Sequence, residues 1–357
     1  MNHGTTMPDF GDIWRELQLG WDGRPVERTV DDEVELRFWK PFIRDKGPEG
    51  MDLYSRRIWK AVEDILGDRF YHSIIEIGPG WGNYTLDLAS RCQQLTCVDM
   101  SADVLKHISG LARQSGANVR TVNSKWEDYR GKPADVVFGF NCFYRMSEIE
   151  ACLSKIDRLG SKRVIGMTSG PEREYFKALE KELGLKIRYT RLDYIVLVNV
   201  LYQLGLDVNV RIVDLETDYA YESVSSAAAK ARRRILSEDY SMDDVSRVVG
   251  RYLKKGDDGL YHYVHRFKAA IIHWRALSPS SCRCPRSLSR RCPRTWSSPR
   301  SPRCIRGTCT SGPSPRRCRC RTWSSSPRPS WPWPSWCRAP FRFLWKGPPH
   351  GRRSLRL

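Results

Sequence analysis

No run of 18 apolar residues occurs in the 357-residue chain, so no segment has the makings of a single membrane-spanning helix. The opening MNHGTTMPDFGD lacks the charged and then apolar layout of a secretory leader. The expectation is a cytoplasmic protein. The last 82 residues, from Ala276, contain no Asp and no Glu, yet hold 18 Arg and one Lys. The whole net charge of +19 lies there, because the first 275 residues balance 41 basic against 41 acidic side chains. The body therefore lacks the basic footprint that a nucleic-acid surface needs. RNA or DNA is expected as a partner only if the tail is genuine.

Cysteine is scarce in the body and dense in the tail. Cys92, Cys97, Cys142 and Cys152 sit in or beside apolar runs and read as buried thiols; the other eight lie between Cys282 and Cys337. The close tail pairs are Cys282-x-Cys284 and Cys318-x-Cys320, without the Cys-x-x-Cys and His partners of a zinc module. No metal is expected. The tail is dominated by Arg, Ser, Pro, Cys and Trp and has no apolar period, so it cannot bury a core. It reads either as a disordered Arg/Ser tail or as an out-of-frame translation of GC-rich DNA. The second is the preferred expectation, and no function is placed there.

What is present in the body is alternation. Residues 51–68 put Leu53, Ile58, Trp59, Val62, Ile65 and Leu66 on one helical face. SIIEIG is a strand, TLDLASRC a helix and QLTCVDM a second strand. SADVLKHISGLARQSG reads as a helix capped by Ser101 and ended by Gly116. VRTVN, ADVVFGFN and RVIGMTSG continue the strands, with a helix through MSEIEACLSKIDRLG. PEREYFKALEKELG places Pro171 in a first helical turn and Gly184 at the end. YIVLVNVLYQLG reads as a helix by its length, and DVNVRIVDLETDYAYES contains a strand. VSSAAAKARRRIL and MDDVSRVVGRYLKKG are helical, and YHYVHRFKAAIIHW is a closing strand. Apolar strands alternating with helices predict a doubly wound α/β sheet covered on both faces. The expected organisation is an N-terminal helical cap over 1–50, a domain over 51–275 with a helical insertion before the last strand, and the tail over 276–357.

The stretch IIEIGPGWGNYTLDL joins the first strand to a helix through alternating glycines. A P-loop would need Lys and Ser/Thr after the last glycine, where Asn83 and Tyr84 stand. A dinucleotide fingerprint would need glycine at 83. The pattern that fits is E-x-G-x-G-x-G, with Glu76, Gly78, Gly80 and Gly82. Asp99 follows at the end of the second strand, 19 residues after Gly80. Over about residues 50–275 the chain thus resembles the class I S-adenosylmethionine (SAM)-dependent methyltransferases.

The resemblance implies SAM as cofactor and a Rossmann-like sheet. It implies that Gly78, Pro79, Gly80 and Gly82 lie along the amino-acid part of SAM, with no Cβ in the way at Gly78 and Gly80, and that Glu76 acts on the methionine moiety. It implies that Asp99 accepts the ribose hydroxyls and that Met100 packs on adenine. The bland alternative for Asp99 is a helix cap. After the third strand the family often carries an Asp. Here Lys125 stands there, followed by Trp126 and Glu127; Trp126 reads equally as an adenine neighbour or a core aromatic. Asn141, after the fourth strand, is a candidate cofactor contact, and Tyr144 and Arg145 are candidate substrate contacts. Asn141-Cys142-Phe143-Tyr144 lacks the two prolines of amino-methylating DNA enzymes.

Methyl transfer from a sulfonium mainly requires alignment in a water-poor pocket. No general base stands out, so the catalytic residue is left open. Cys142 reads as a small buried residue rather than a thiolate. Trp14, Trp21, Phe38 and Trp39, with Tyr219, Tyr221 and Tyr261, read as a pocket roof or as ordinary packing. An enclosed aromatic pocket suits a small-molecule acceptor. The alternatives are an RNA or protein methyltransferase that uses the tail, and a SAM-binding regulatory protein without turnover.

Overall fold

The computed structural model describes residues 7–20, 23–45, 53–189 and 192–275. Trp21 and everything from 276 onwards, where the tail expectations fall, lie outside the described residues. Three helices come first: α1 (Phe10–Leu17), α2 (Glu27–Val30) and α3 (Asp32–Asp45). Then follow α4 (Leu53–Leu66), β1 (Tyr71–Ile77), α5 (Thr85–Ala89), β2 (Cys92–Asp99), α6 (Ala102–Ser115), β3 (Val119–Asn123) and β4 (Ala134–Phe140). The chain continues with α7 (Ile149–Leu159), β5 (Gly160–Ser169), α8 (Glu174–Leu183), α9 (Tyr194–Gln203) and β6 (Asn209–Tyr221). It closes with α10 (Val224–Arg232), α11 (Met242–Gly250), β7 (Lys254–Lys255) and β8 (Tyr261–Arg275).

One sheet takes the order β3-β2-β1-β4-β5-β8-β6, with β7 on β8. The strands from β3 to β5 pair in parallel, and β8 runs antiparallel between β5 and β6. Helices cover both faces. Ile75 and Ile77 of β1 point into a core with α7, α9 and Trp14 of α1, whereas Ile74 points into a core with α4, α5 and α6. The period of two along β1 therefore places Glu76 at a core position on the second face. The insertion between β6 and β8 packs its own core: Val245, Val248 and Val249 of α11 meet Ala227, Ala228 and Ala231 of α10 and Tyr175 of α8. The doubly wound sheet, the helical N-terminus and the late helical insertion are thus all present. Among the described residues no helix is long and apolar enough to cross a membrane.

Local signals explain the boundaries. The Ser101 hydroxyl accepts the Val104 N–H at the start of α6, and Gly116 ends that helix in the left-handed region. Gly184 ends α8 in the same way. Several expected bounds shift. Pro171 precedes α8 rather than opening it: Arg173 is the N-cap and the first turn begins at Glu174. The helix after the glycine loop stops at Ala89, because Cys92 is already paired in the sheet beside Tyr71. α7 begins at Ile149, after a 3-10 turn over Phe143–Arg145. α10 stops at Arg232, short of the expected 236. α11 ends at Gly250, and Lys254–Lys255 form a short strand on β8, which takes over their backbone bonds.

Candidate active site

Strand order reverses between β1 and β4, and a crevice opens at the carboxyl ends of the strands at such a point. Here it is a cavity of about 650 Å³. The glycine loop forms one wall. Gly78, Gly80 and Gly82 all have left-handed φ, at 59°, 55° and 86°, which a side chain would adopt only at a cost. Their missing Cβ atoms face protein. A Cβ on Gly78 would lie 2.7 Å from Cys142 Cβ, and one on Gly80 3.1 Å from Trp39 Cη2. At Gly82 it would lie 2.9 Å from Leu111 and 3.0 Å from Ile108 of α6. Their bareness thus admits Cys142 of the β4 loop and Trp39 of α3, while the backbone of both glycines borders the cavity. Gly82 does not line the cavity at all, while Gly78, Pro79 and Gly80 do.

Two carboxylates line the wall at the strand ends. Glu76 is 1% exposed. One of its oxygens accepts the Thr85 hydroxyl at 2.7 Å and the Cys97 thiol at 3.4 Å. Burial pushes its carboxyl up to about 7, against those two hydrogen bonds and with the help of nearby Asp99. Asp99 ends β2, and its side chain accepts the Ser101 N–H at 2.8 Å. Burial pushes it up to about 6, opposed by the backbone N–H groups of Ser101 and Met100. The cap of α6 is Ser101 rather than Asp99. Asn123 donates to the carbonyls of Asp99 (3.1 Å) and Met100 (2.8 Å), which fixes this strand end.

The loop after β3 carries Lys125, Trp126 and Glu127 to the cavity. Its anchor is Lys155 of α7, whose buried ammonium donates to the carbonyls of Trp126 and Glu127, both at 2.7 Å, and of Tyr129 at 3.3 Å. Trp126 is 3% exposed, stacks on Tyr129 and donates its indole N–H to the Cys152 carbonyl. It is a core aromatic that also contributes to the wall. After β4, Asn141 takes a left-handed φ of 53°. Its side-chain oxygen accepts the Thr168 N–H at 2.8 Å, which joins the β4 and β5 ends. Burial pushes the Cys142 thiol up, so it holds its proton.

The N-terminal helices close the remaining side. Glu35 of α3 is buried and accepts two bonds from Arg28, at 2.7 and 3.1 Å, one from the Trp39 indole at 2.8 Å and one from the Tyr144 hydroxyl. Burial pushes the Glu35 carboxyl up, but the bonds from Arg28, Tyr144 and Trp39 outweigh it and hold the group below its ordinary value. Arg145 is engaged as well. It reaches Asp32 and the backbone carbonyls of Arg28 and Asp31. Lys125 pairs with the same Asp32 at 2.6 Å. Tyr144 and Arg145, expected to face substrate, therefore line the cavity while tying the β4 loop to α2 and α3. Trp39, Tyr54, Trp81, Tyr84, Phe138 and Phe140 supply the aromatic wall. Trp14 belongs to the core instead, donating to the Met146 carbonyl at 2.7 Å. Tyr219, Tyr221 and Tyr261 pack the insertion.

Of the expected cofactor contacts, all but Gly82 meet at one cavity. Sequence reasoning missed Glu35, Arg28, Asp32 and Lys155. The signal for Glu35 was Glu35-x-x-x-Trp39, a carboxylate one helical turn from an indole; for Lys155 there was none. Among the described residues no His, Cys, Asp and Glu cluster could hold a metal.

Residues 74–162 match the family model described as a methyltransferase domain. Among solved structures, a methyltransferase of Bacillus halodurans described as putative is 11% identical with a TM-score of 0.42; the match covers 63% of this chain and 99% of that one. The YcgJ protein of Bacillus subtilis is 13% identical with a TM-score of 0.41, over 61% of this chain and 97% of that one. The plantazolicin methyltransferase BpumL, in complex with SAH, is 14% identical with a TM-score of 0.38, over 74% and 96%. No curated protein matches the sequence.

Proposed function

We propose that this chain is a class I SAM-dependent methyltransferase and that it acts on a small molecule enclosed beneath its N-terminal helices. The observation that carries the reading is the cavity of about 650 Å³, lined by the carboxylates of Glu76 and Asp99 at the strand ends together with aromatic side chains. Pockets of this size bury most of a small ligand.

The residues fit the cofactor. Glu76 and Asp99 are carboxylates raised by burial, and a cationic or hydroxyl-bearing ligand relieves that burial. In this reading Glu76, with Gly78, Pro79 and Gly80, holds the amino-acid end. Asp99 accepts the ribose hydroxyls, and Met100, Trp126 and Glu127 flank the base. Asn141 stands near the methyl group. Bound there, SAM supplies an electrophilic methyl group on a sulfonium. The protein aligns the acceptor with that group and excludes water. Burial pushes both the Tyr144 and the Cys142 protons to high pH, so neither side chain is a ready base. The acceptor sheds its proton to solvent or needs to shed none.

Titration calorimetry of SAM and of its demethylated product SAH into the full chain tests the reading, with Asp99→Ala beside it. Loss of the charge-assisted ribose bonds should cost about 1.5–3 kcal/mol, at least about tenfold in affinity. If the folded wild-type protein binds neither ligand, the reading is wrong.

A further inference from the structure

Arg173 stands apart from the cavity, at the N-cap of α8 just beyond the end of β5. It is half-buried. Its guanidinium lies over the Tyr219 ring at 4.1 Å, and its Nη1 donates to the Tyr175 hydroxyl at 2.9 Å. Its hydrogen-bond partners are tyrosine oxygens, and among the described residues no carboxylate pairs with it. The adjacent Glu172 is taken by Arg234 at 2.6 Å. Glu174, on its other side, is exposed and does not pair with it. Lys230 of α10 lies over the Tyr221 ring at 5.2 Å, and it too has no carboxylate partner among the described residues. A guanidinium carries more N–H donors than two hydroxyls use, and withdrawing its charge from water without a counter-ion costs free energy.

A row of rings runs from this corner to the cavity. His265 lies beside Tyr219 and Tyr263, at 6.4 and 6.2 Å between ring centres. It stacks on Phe267 at 5.3 Å, with the planes 9° apart. Phe267 meets Tyr54 at 6.0 Å, and Tyr54 lines the cavity. Tyr54, Phe267, His265 and Tyr219 are all half-buried, so each keeps some surface open. Burial, helped by the charges of Arg173 and Arg234 and opposed by Glu172, pushes the His265 pKa down. The imidazole is then neutral near neutral pH and donates a hydrogen bond without adding charge.

From this we infer that Arg173 is the centre of an anion site outside the proposed methyl-transfer cavity, and that it takes the carboxylate of a ligand whose flat apolar body lies along His265 and Phe267 towards Tyr54. The guanidinium fork matches a carboxylate in shape and charge. The ring faces along the row suit a flat apolar body. The site needs no cofactor, so it goes beyond the proposed function and stands or falls separately from it.

The test is calorimetry on the full chain, without SAH and with saturating SAH, using three probes: hydrocinnamate, hydrocinnamyl alcohol and propionate. The first carries a ring and a carboxylate, the second only the ring, the third only the carboxylate. Hydrocinnamate should bind at least about tenfold more tightly than either, since a charge-assisted bond and a buried ring are each of that order. Its affinity should be the same with and without SAH. Arg173→Gln should bring hydrocinnamate down to the alcohol's affinity while the alcohol's own affinity holds, with an unchanged urea midpoint to show that the variant is folded. If that variant does not fold, Arg173→Lys takes its place; it keeps the charge but not the flat fork, and should bind hydrocinnamate more weakly than wild type does. The inference is overturned if the alcohol or propionate binds wild type as well as hydrocinnamate does, or if none of the three binds. It is equally overturned if SAH displaces hydrocinnamate, if a folded Arg173→Gln keeps the preference, or if Arg173→Lys binds like wild type. A wild-type protein that fails to bind SAH is a different result, which removes the methyltransferase reading and leaves this site to be judged on the probes alone.

Discussion

Glu76→Gln should flatten the pH dependence of the ligand-free protein's stability. Glu76 is 1% exposed, and burial raises its carboxyl from 4.5 to about 7 despite bonds from Thr85 and Cys97. In the unfolded chain the same group titrates near its ordinary value. The folded protein therefore holds this proton more tightly. The associated stability is fully present below about pH 4.5 and is lost as pH rises through 7. A gap of about 2.5 units corresponds to about 3 kcal/mol, of which about 2.5 kcal/mol falls between pH ~5 and ~8. Glutamine keeps an oxygen for the Thr85 hydroxyl and has nothing to ionise. Other titrating groups are common to both proteins, so the difference between them isolates Glu76. The assay is urea unfolding of both ligand-free proteins at the two pH values. Wild type should lose about 2.5 kcal/mol more than the variant on going to the higher pH. Parallel pH profiles would show that Glu76 is not held near 7 by burial, and the electrostatic account of this wall would fail.

Other outcomes follow from the same geometry. Gly82→Ala forces a side chain into left-handed backbone against Leu111 and Ile108. It should lower unfolding stability by at least about 1–2 kcal/mol, yet change SAM affinity of the folded protein little; a large selective loss of affinity would place Gly82 back at the ligand. Glu35→Gln removes the charge that Arg28, Trp39 and Tyr144 share. Unfolding free energy should drop by about 2 kcal/mol, and amide exchange in α2 and α3 should quicken more than in β1. Because Glu35 is held below its ordinary value, the wild-type contribution is present above about pH 4.5 and lost as pH falls through that lower value. The variant should lack this acid-side loss.

Much of the architecture was legible in the linear order. Apolar runs such as Ile74–Ile75 and Val136–Phe138, broken by helices at regular spacing, define a parallel sheet because such strands are buried on both faces. Ser101 and Gly116 mark the ends of α6 by local chemistry that no distant residue needs to supply. Boundaries set by strand pairing were harder. Cys92 and Lys254–Lys255 looked helical in sequence, but the sheet claims their backbone bonds, and tertiary pairing overrides local preference.

The site divides in the same way. The sequence by itself determined the strand ends that carry Glu76, Asp99 and Asn141, because the spacing along alternating elements delivers each to the same edge of the sheet. Only the tertiary structure decided what those residues meet. It placed Glu76 on the inward side of β1, where loss of water, more than the nearby Asp99 charge, raises its carboxyl. It turned the glycine loop toward Cys142, Trp39 and α6, so that the absence of side chains serves protein contacts. It brought Glu35 to Tyr144 across 109 residues and Asp32 to Lys125 and Arg145. Such pairings depend on how the N-terminal helices cross the crevice, a long-range geometry that no local period or motif encodes.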